Sequence, residues 1–463
     1  MGSTGDAPIP IVWKHDDPAA YEEARVGRVF NHRRPFRYPL AVVQATCEQD
    51  VVEAVKLAAQ KNARVSVRSG GHSWAVWSVR DNAILIDLGK YKHLHLHKST
   101  GILEASTSTT GRVMNEYLSK YGYMFEGGHC PDVGIGGFLL QGGMGWNCKN
   151  WGWACEKVRA VDVVTASGEL VHCNAEQNSE LYWMARGSGP GFPGVVTKFY
   201  LEVRKSFSHM MISFFAYPMS EYRQVMDWVV DIGPKLDAGI ELVAAAQCLP
   251  GESEHCIKIP FVTFKNSKEE AEASLELANA TRPRGALIEV INKPTSLRDQ
   301  YREQEINNPA GHRYCAENAY IGNEEKVADV LEEAFTTLPH PRAFSIYFAM
   351  TPCSRNKLAD MAFSMQSDHY FATYACWEEA GDDERCSGWV RDVMSRIEKH
   401  SVGAYLGDSD FQVRRTQFWS QESGRKLMAL RQKWDPGERF CGYLDVDDKS
   451  GLNGLQNMHE WKL

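Results

Sequence analysis

Two patterns of apolar residues take turns along the first part of the chain. One is recurrence at helical spacing, and the other is the short apolar run typical of a buried strand. At residues 46–63, valines and alanines recur on one helical face, which predicts a helix. The apolar runs at residues 64–67 and 83–88 predict buried strands. Later elements are predicted in the same way: strands at 101–107 and 195–203, helices at 112–121 and 179–184, and a hairpin joining 158–164 to 169–173. This mixture of short strands and helices predicts an α+β fold.

Near Lys205 the pattern changes to longer and more regular strand-like runs. The predicted strands are residues 211–216, 241–248, 256–264, 344–350 and 369–377. Helical spacing separates them at residues 221–232, 267–280, 324–337 and 388–399. We therefore expect a second domain, built from an antiparallel sheet backed by helices.

Length, charge and apolar content limit the number of domains and the kinds of partner that the chain can have. The chain has 463 residues, 43% of them hydrophobic, which is too many for one core and predicts two domains. The net charge is -8 and the pI about 6.0, so no basic surplus favours nucleic acid or an anionic membrane as a partner. No apolar run approaches the length needed to span a bilayer.

The twelve cysteines are scattered from Cys47 to Cys441, without a dense framework or a CxxC pair. Residues 1–10 lack a basic start followed by an apolar core, which predicts no secretory signal. We therefore expect reduced, mostly buried thiols and a cytoplasmic protein. The final residues 461–463 only half resemble a peroxisomal address, because a small residue is expected before Lys-Leu.

A glycine-rich loop follows the predicted strand at residues 64–67. It reads Arg68-Ser69-Gly70-Gly71-His72-Ser73. Adjacent glycines let the backbone approach a ligand closely, and successive N–H groups in such a turn suit an anion such as a phosphate. The serine hydroxyls add donors and Arg68 adds charge.

A second glycine-rich stretch, Gly127-Gly128-His129-Cys130-Pro131-Asp132-Val133-Gly134-Ile135-Gly136-Gly137, completes the signal. Together the two stretches resemble the PCMH-type flavin-binding half of the vanillyl-alcohol oxidase superfamily, and most closely its berberine-bridge-enzyme-like branch. The resemblance covers residues 1–205 and part of residues 401–463. It implies FAD attached twice, through His72 and through Cys130, with glycine-lined N–H groups lowering the pKa of the thiol.

The resemblance also implies further contacts to the cofactor. Close backbone approach to the flavin is expected at several small or amide residues: Gly128, Gly134, Gly136, Gly137, Gln141, Gly142, and, at the adenine end, Gly194 and Val195. Val133 matches the position that gates dioxygen in this family, where valine leaves a pocket beside the flavin. Val133 therefore implies an oxidase that produces hydrogen peroxide.

Hydride removal from an alcohol needs a base for the hydroxyl proton. The resemblance assigns Tyr405 to this role, within a tail motif in which Gly407 and Asp408 replace the family's usual Asn and Tyr. A free tyrosine has a pKa of about 10 and needs an activating neighbour. Asp408 is one candidate neighbour. Tyr370 and Tyr374 are others, because strand alternation puts both on the side of residues 369–377 that should face the flavin.

Several alternatives stay open. The plant alkaloid enzymes of this family use a glutamate as base, and four glutamates are candidates here: Glu241, Glu289, Glu317 and Glu378. Cys148 and Cys155 are rival attachment points outside the matching motif. His93, His95 and His97 share a strand face, but no further ligand is signalled nearby, so we predict exposed histidines and no metal site.

Sequence and resemblance together predict an FAD-binding domain of two small α/β subdomains at residues 1–205, a substrate domain at 206–400, and a segment at 401–463 that returns to the first domain. The expected protein is a monomer or homodimer. The expected activity is oxidation of an alcohol or amine carbon in a small aromatic or secondary-metabolite substrate, with electrons passed to dioxygen. The alternatives are a redox-neutral or dehydrogenase variant of the same fold and a carbohydrate oxidase.

Overall fold

In a computed structural model, which describes residues 9–444, the chain forms two lobes with a cavity between them. Both lobes combine sheets with helices, so the predicted α+β class is confirmed. Residues 461–463, with the weak peroxisomal address, lie outside the described residues. No helix in the described part of the chain has the length and apolarity needed to cross a bilayer.

The first sheet in the described residues has the strand order β1-β2-β4-β3. Its elements are β1 (Ile11–Trp13), α1 (Pro18–Val26), β2 (Ala41–Gln44), α2 (Glu48–Gln60), β3 (Val65–Arg68) and β4 (Ile84–Asp87). The strands β2, β4 and β3 run parallel, and β4 at their centre is fully buried, as expected of a strand covered on both faces. The helix α2 begins later than predicted because the Asp50 carboxylate accepts bonds from Thr46 N and Cys47 N ahead of it.

A second sheet has the order β5-β6-β10-β8-β9. The strands of this region are β5 (Leu94–His97), β6 (Ile102–Ser106), β7 (Tyr123–Met124), β8 (Val158–Val164), β9 (Leu170–Asn174), β10 (Val195–Glu202) and β11 (Arg204–Lys205), the last paired with β7. The helices are α3 (Gly111–Ser119), α4 (Ile135–Leu140), α5 (Cys148–Trp151) and α6 (Ser179–Met184). The hairpin predicted at residues 158–173 is present as β8 and β9.

The second lobe contains, within residues 9–444, an eight-stranded antiparallel sheet of order β15-β12-β14-β13-β17-β18-β16-β19. Its strands are β12 (His209–Pro218), β13 (Ile240–Cys248), β14 (His255–Lys265), β15 (Ile288–Thr295), β16 (Arg313–Ile321), β17 (Phe344–Ala349), β18 (His369–Trp377) and β19 (Ser401–Gly403). The helices of the same region are α7 (Tyr222–Ile232), α8 (Lys268–Thr281), α9 (Leu297–Asn307), α10 (Val327–Thr336) and α11 (Asp383–Ile397).

Strand alternation gives this sheet two different faces. Phe371 and Ala375 of β18 point toward a core shared with α7, α8, α10 and α11. Tyr370, Ala372 and Tyr374 point to the opposite face, as predicted, and join an aromatic cluster with Trp74 and Tyr405. The second face is therefore the one turned toward the first lobe.

The chain returns to the first lobe after β19. Helix α12 (Gln421–Trp434) packs into the same core as β8 and β10, and Phe440 pairs with Val65 at the start of β3. Cys441 N donates to Val65 O at 2.9 Å. These contacts tie residues 421–441 to the first lobe, and the division of the chain into residues 1–205, 206–400 and 401–463 remains a prediction.

Candidate active site

A cavity of about 1010 Å³ lies between the glycine-rich loops of the first lobe and the open face of the β12–β19 sheet. The loop after β3 and the loop between β7 and α4 form one wall. Side chains from β13, β14, β17 and β18 form the other, and α9 borders it. The size is at the upper end of the range for small-molecule and cofactor sites.

The two glycine-rich loops touch each other through their backbones. A Cβ atom on Gly70 would lie 2.6 Å from Gly134 N, and one on Gly134 would lie 2.7 Å from Gly70 Cα. A Cβ on Gly136 would lie 2.6 Å from Ser69 Oγ. These glycines are therefore required for the contact between the loops, in addition to any approach to a ligand.

His72 and Cys130, the two predicted attachment residues, both line the cavity. The imidazole of His72 stacks on Phe30, with 3.9 Å between ring centroids and 18° between planes, and meets Trp74 edge-on at 5.6 Å. Burial lowers the pKa of His72 to about 4, so its ring is neutral at neutral pH.

Cys130 differs electrostatically from the expectation. Burial, reinforced by the carboxylates of Asp408 and Asp132, raises the pKa of the Cys130 thiol to about 12. The expected lowering by backbone N–H groups was therefore wrong, because desolvation and two nearby acids outweigh it. The two rival cysteines are fully buried outside the cavity lining, where Cys155 Sγ lies 3.6 Å from Met361 Sδ and Cys148 packs in the core near Cys353.

Most of the other predicted cofactor residues line the same cavity: Ser69, Gly70, Gly71, Ser73, Gly128, Val133, Gly134, Gly136, Gly137, Gln141 and Gly194. Gly142 and Val195 are not among the lining residues. Gly142, at φ +117°, packs against the Phe363 ring, and Val195 is buried in the core with Val164, so that Val196 reaches the cavity instead.

Two polar side chains that were predicted to contact the cofactor form hydrogen bonds within the protein instead. Arg68 borders the cavity, but its guanidinium pairs with Asp87 at 2.6 Å and donates to Arg25 O, also at 2.6 Å. The Gln141 side-chain amide donates to Leu406 O at 3.3 Å. Arg68 therefore holds the loop in place through Asp87, and the anion site predicted in this loop would depend on the loop's backbone N–H groups and serines.

The tyrosines named from the sequence converge on Asp408. Tyr370 Oη donates to an Asp408 carboxylate oxygen at 2.5 Å, Trp74 Nε1 lies 3.4 Å from the other oxygen, and Tyr374 is close enough to interact with the same carboxylate. Burial raises the pKa of Asp408, although these hydrogen bonds oppose the rise. Tyr374 and Asp408 line the cavity, whereas Tyr370 lies behind them.

Tyr405 also lines the cavity, and its hydroxyl oxygen accepts two backbone bonds, from Gly143 N at 3.1 Å and Met144 N at 3.2 Å. Burial and Asp408 nevertheless raise the pKa of Tyr405 well above its usual range. A Cβ on Gly407 would lie 2.3 Å from the Tyr405 ring. Glycine at position 407, where the family usually has Asn, therefore leaves the room that the Tyr405 ring occupies.

Of the four candidate glutamates, Glu241 alone lines the cavity among the described residues. Its Oε1 lies 3.2 Å from His129 Nε2 and accepts from Asn147 N at 2.9 Å, while Oε2 has no hydrogen-bond partner in the described chain. Glu317 is buried against Arg414, and Glu289 and Glu378 pair with Arg282 and Arg342 near the surface. His129 was not proposed from the sequence, although its place beside Cys130 was a signal.

The histidines at 93, 95 and 97, in and next to β5, are not at this site. His93 and His97 both contact Glu104, at 2.8 and 2.7 Å, near the protein surface. No group of three or more potential metal ligands occurs among residues 9–444. Two tryptophans that follow the second glycine-rich stretch lie in different places. Trp146 lies at the cavity beside His129, whereas Trp153 packs on Phe363.

The fold and this glycine-walled cavity are those of a flavin-dependent oxidoreductase. Residues 39–174 match the profile of an FAD binding domain. The structure superposes on Physcomitrella patens BBE-like 1 with a TM-score of 0.82 and 19% identity, covering 93% of this chain and 95% of that one. It also resembles the grass pollen protein Phl p 4, at 17% identity and 94% and 96% coverage. The wild-type Phl p 4.0202, described as a glucose dehydrogenase, gives a TM-score of 0.80, and an isoleucine-to-valine variant described as a glucose oxidase gives 0.79.

Among curated relatives, the FAD-linked oxidoreductase ptmO of Penicillium ochrochloron is 36% identical over 444 residues, which cover 96% of this chain and 98% of that protein. The chain belongs to this family of FAD-linked oxidoreductases. The resemblance inferred from the two glycine-rich loops is thereby confirmed.

Proposed function

We propose that the protein is an FAD-dependent oxidase whose flavin is attached through both His72 and Cys130. The supporting observation is that these two residues, on loops locked together at Gly70 and Gly134, line one cavity. The cavity's volume and glycine-rich wall fit a flavin. When bound, the flavin takes a hydride equivalent from a substrate carbon.

The neutral state of His72 suits attachment. With its pKa lowered to about 4, the ring keeps a free nitrogen lone pair at neutral pH, and stacking on Phe30 fixes its plane. Cys130, with its raised pKa, is a thiol at neutral pH, so its attachment requires loss of a proton. We expect attachment through Cys130 to be the slower of the two.

Tyr374 and Asp408 are the acid–base pair that we propose. Tyr374, which lines the cavity, takes the hydroxyl or amine proton of the substrate and passes its own proton to Asp408. Tyr370 holds the carboxylate from behind through its 2.5 Å bond. Tyr405, anchored on Gly143 N and Met144 N, positions the substrate oxygen or nitrogen.

Glu241 is a second candidate base, favoured by its place in the cavity lining, by an Oε2 without a hydrogen-bond partner in the described chain, and by its contact with His129. The two assignments are distinguished by comparing Asp408→Asn with Glu241→Gln. The Asp408 assignment requires the larger loss of kcat in the Asp408 variant, and the reverse order transfers the role to Glu241.

Dioxygen is the proposed electron acceptor because Val133, a short side chain, lines the cavity close to Cys130. In the similarly folded Phl p 4, the variant with a valine in place of isoleucine is the one described as an oxidase. A dehydrogenase would instead leave the reduced flavin unreactive toward air.

The substrate class that we propose is a small aromatic or other secondary metabolite with an oxidisable alcohol or amine carbon. The middle of the sheet side of the cavity is apolar, with Val243, Ala245, Ile346 and Phe348 in its lining, which favours such molecules over carbohydrates. A cytoplasmic location and a monomeric or dimeric state remain expectations. A redox-neutral catalyst would convert its substrate without peroxide and without bleaching the flavin under anaerobic conditions.

Acid precipitation of the purified yellow protein tests the attachment. We expect the colour in the pellet, retained in His72→Ala and in Cys130→Ala and lost to the supernatant in the double variant. Cys155→Ala, a buried cysteine outside the cavity, is the matched control and should keep both links. A colourless pellet from the unaltered protein would remove the covalent proposal, and peroxide released with a substrate alcohol or amine tests the oxidase proposal.

A further inference from the structure

A polar group lies in the cavity at a distance from the glycine-rich loops. Lys258 of β14 donates through Nζ to Gln247 Oε1 at 2.8 Å and to Asn307 Oδ1 at 3.3 Å, and all three residues line the cavity. Gln247 Nε2 in turn lies 3.4 Å from Asn307 O, at the end of α9. The three side chains therefore form one fixed group.

The ammonium of Lys258 has donor capacity to spare. It carries three N–H donors, of which the two amide oxygens take two. Among residues 9–444, no carboxylate comes within ion-pair distance of its Nζ, although Glu303 of α9 acts on it from further away. Burial lowers the pKa of Lys258, and Cys256 and Glu303 offset this only in part. An acceptor oxygen arriving from the cavity would satisfy both the free donor and the charge.

The register between β13 and β14 determines where Lys258 lies relative to Glu241 and Cys130. Lys258 pairs with Ala245, which lies four residues along β13 from Glu241, the residue that contacts His129 next to Cys130. At about 3.3 Å per residue, Glu241 and Ala245 are about 13 Å apart along β13, and Lys258 lies opposite Ala245 on β14. Between them the floor of the cavity is apolar, with Val243 and Ala245 of β13 and Ile346 of β17.

We propose that Lys258, held by Gln247 and Asn307, is a remote anchor that binds a hydrogen-bond-accepting oxygen of the substrate, and binds it most tightly as a carboxylate. The inference deepens the proposed function and rests on it. The substrate is then an elongated molecule with an apolar middle, an oxidisable carbon at one end, and an acceptor oxygen at the other. This anchor selects substrates by length and polarity and takes no part in hydride removal.

The test uses the yellow holoenzyme and non-oxidisable probes. p-Terphenyl-4-carboxylate carries its charge at the end of three rings in line, benzoate carries the same charge on a single ring, and p-terphenyl-4-carboxamide and p-terphenyl lack the charge. Binding is followed by the perturbation of flavin absorbance and by the shift in thermal midpoint. We expect the terphenyl carboxylate to bind at least about tenfold more tightly than the amide or hydrocarbon, a ratio equal to about 1.4 kcal/mol.

Lys258→Met should abolish this preference, and Lys258→Arg should keep most of it. Lys293→Met, an exposed lysine at the same cavity, is the matched control and should leave the preference unchanged. Equal binding of carboxylate and hydrocarbon to the unaltered protein, or a preference that survives Lys258→Met, would overturn the anchor. Should Lys258→Met fail to fold, Lys258→Gln, which keeps a polar side chain without the charge, replaces it and should also abolish the preference for the carboxylate. Failure of the proposed function appears separately, as a protein without tightly held flavin or without oxidase activity.

Discussion

Tyr370 and Asp408 are joined by a hydrogen bond of 2.5 Å, although they belong to different parts of the chain. Tyr370 lies on β18 of the substrate-side sheet, and Asp408 lies in the segment that returns to the first lobe. The bond therefore fixes the cavity-facing carboxylate relative to the sheet that carries Tyr374. Asp408 is partly buried at the cavity wall, and its charge is offset by the hydrogen bonds from Tyr370 and Trp74, without a cation in direct contact among the described residues.

The first prediction concerns this carboxylate. Asp408→Asn should lower kcat about 10²–10⁴-fold, the usual range for loss of a general acid–base group, while the flavin stays attached. Because burial raises the pKa of Asp408, activity of the unaltered enzyme should fall as pH drops through that raised pKa, and the variant should lose this acidic limb. The measurement is kcat/KM against pH, with a substrate found by screening aromatic alcohols and amines for peroxide release.

Two phenylalanine variants serve as the comparison. Tyr370→Phe removes the bond to Asp408 and should also reduce kcat, whereas Tyr320→Phe removes a buried hydroxyl that has no hydrogen-bond partner in the described chain. Tyr320 lies on the neighbouring strand, with 5.8 Å between its ring and that of Tyr370. Equal kcat values in the two variants would contradict a role for the Tyr370–Asp408 bond.

The second prediction concerns the contact between the loops. Gly134→Ala would place a Cβ 2.7 Å from Gly70 Cα, so the loops must separate and carry His72 and Cys130 with them. We expect a flavin-to-protein absorbance ratio well below that of the unaltered protein and a lower thermal midpoint. Gly381→Ala, where an added Cβ meets nothing within 4 Å, is the control and should leave both measurements unchanged.

Local signals made the cofactor half of the molecule predictable. The glycines of both loops lie next to His72 and Cys130 in sequence, so one short motif indicates each of the two loops that form the first wall of the cavity. The regular alternation in β18 likewise predicted that Tyr370 and Tyr374 share a face. In both cases the residues that determine the structure are close together along the chain.

Elements stabilised by distant partners were not predictable in this way. Strand β16 was missed because Glu317 and Asn318 interrupt its apolar pattern, and their burial depends on Ser409 and the Tyr405 backbone, about ninety residues away. Strand β15 was missed because it is polar and largely exposed. The choice of Glu241 among four glutamates required the fold, since only the register of β13 brings it to the cavity.

The third prediction concerns reaction with dioxygen. Val133→Leu should slow reoxidation of the reduced flavin at least about tenfold, because a larger side chain fills the space beside Cys130 where a short one lines the cavity. Rapid mixing of anaerobically reduced enzyme with air-saturated buffer measures the rate. Val113→Leu makes the same exchange on the exposed side of α3 and should have no effect. An unchanged rate in Val133→Leu would argue against this valine as the gate.

The last prediction concerns Glu126, which lies just before the second glycine-rich loop and is fully buried. Neither carboxylate oxygen has a hydrogen-bond partner in the part of the chain that the structure describes. Burial raises the pKa of Glu126 to about 7, with Lys157 and Arg204 opposing the rise. A buried acid of this kind folds most favourably in its protonated form.

The sign of the pH effect follows from proton binding. Between the ordinary pKa of 4.5 and the raised value of about 7, the folded state holds a proton that the unfolded state has released, so the free energy of unfolding decreases as pH rises through this window. The change amounts to about 3 kcal/mol at 1.36 kcal/mol per pKa unit. Glu126→Gln cannot ionise, so its stability relative to the unaltered protein should rise by about that amount from pH 4.5 to pH 8 in urea unfolding. Glu276→Gln, at an exposed position on α8, removes a surface charge and should not reproduce the rise. A pH-independent difference for Glu126→Gln would mean that this carboxyl is already ionised in the folded protein.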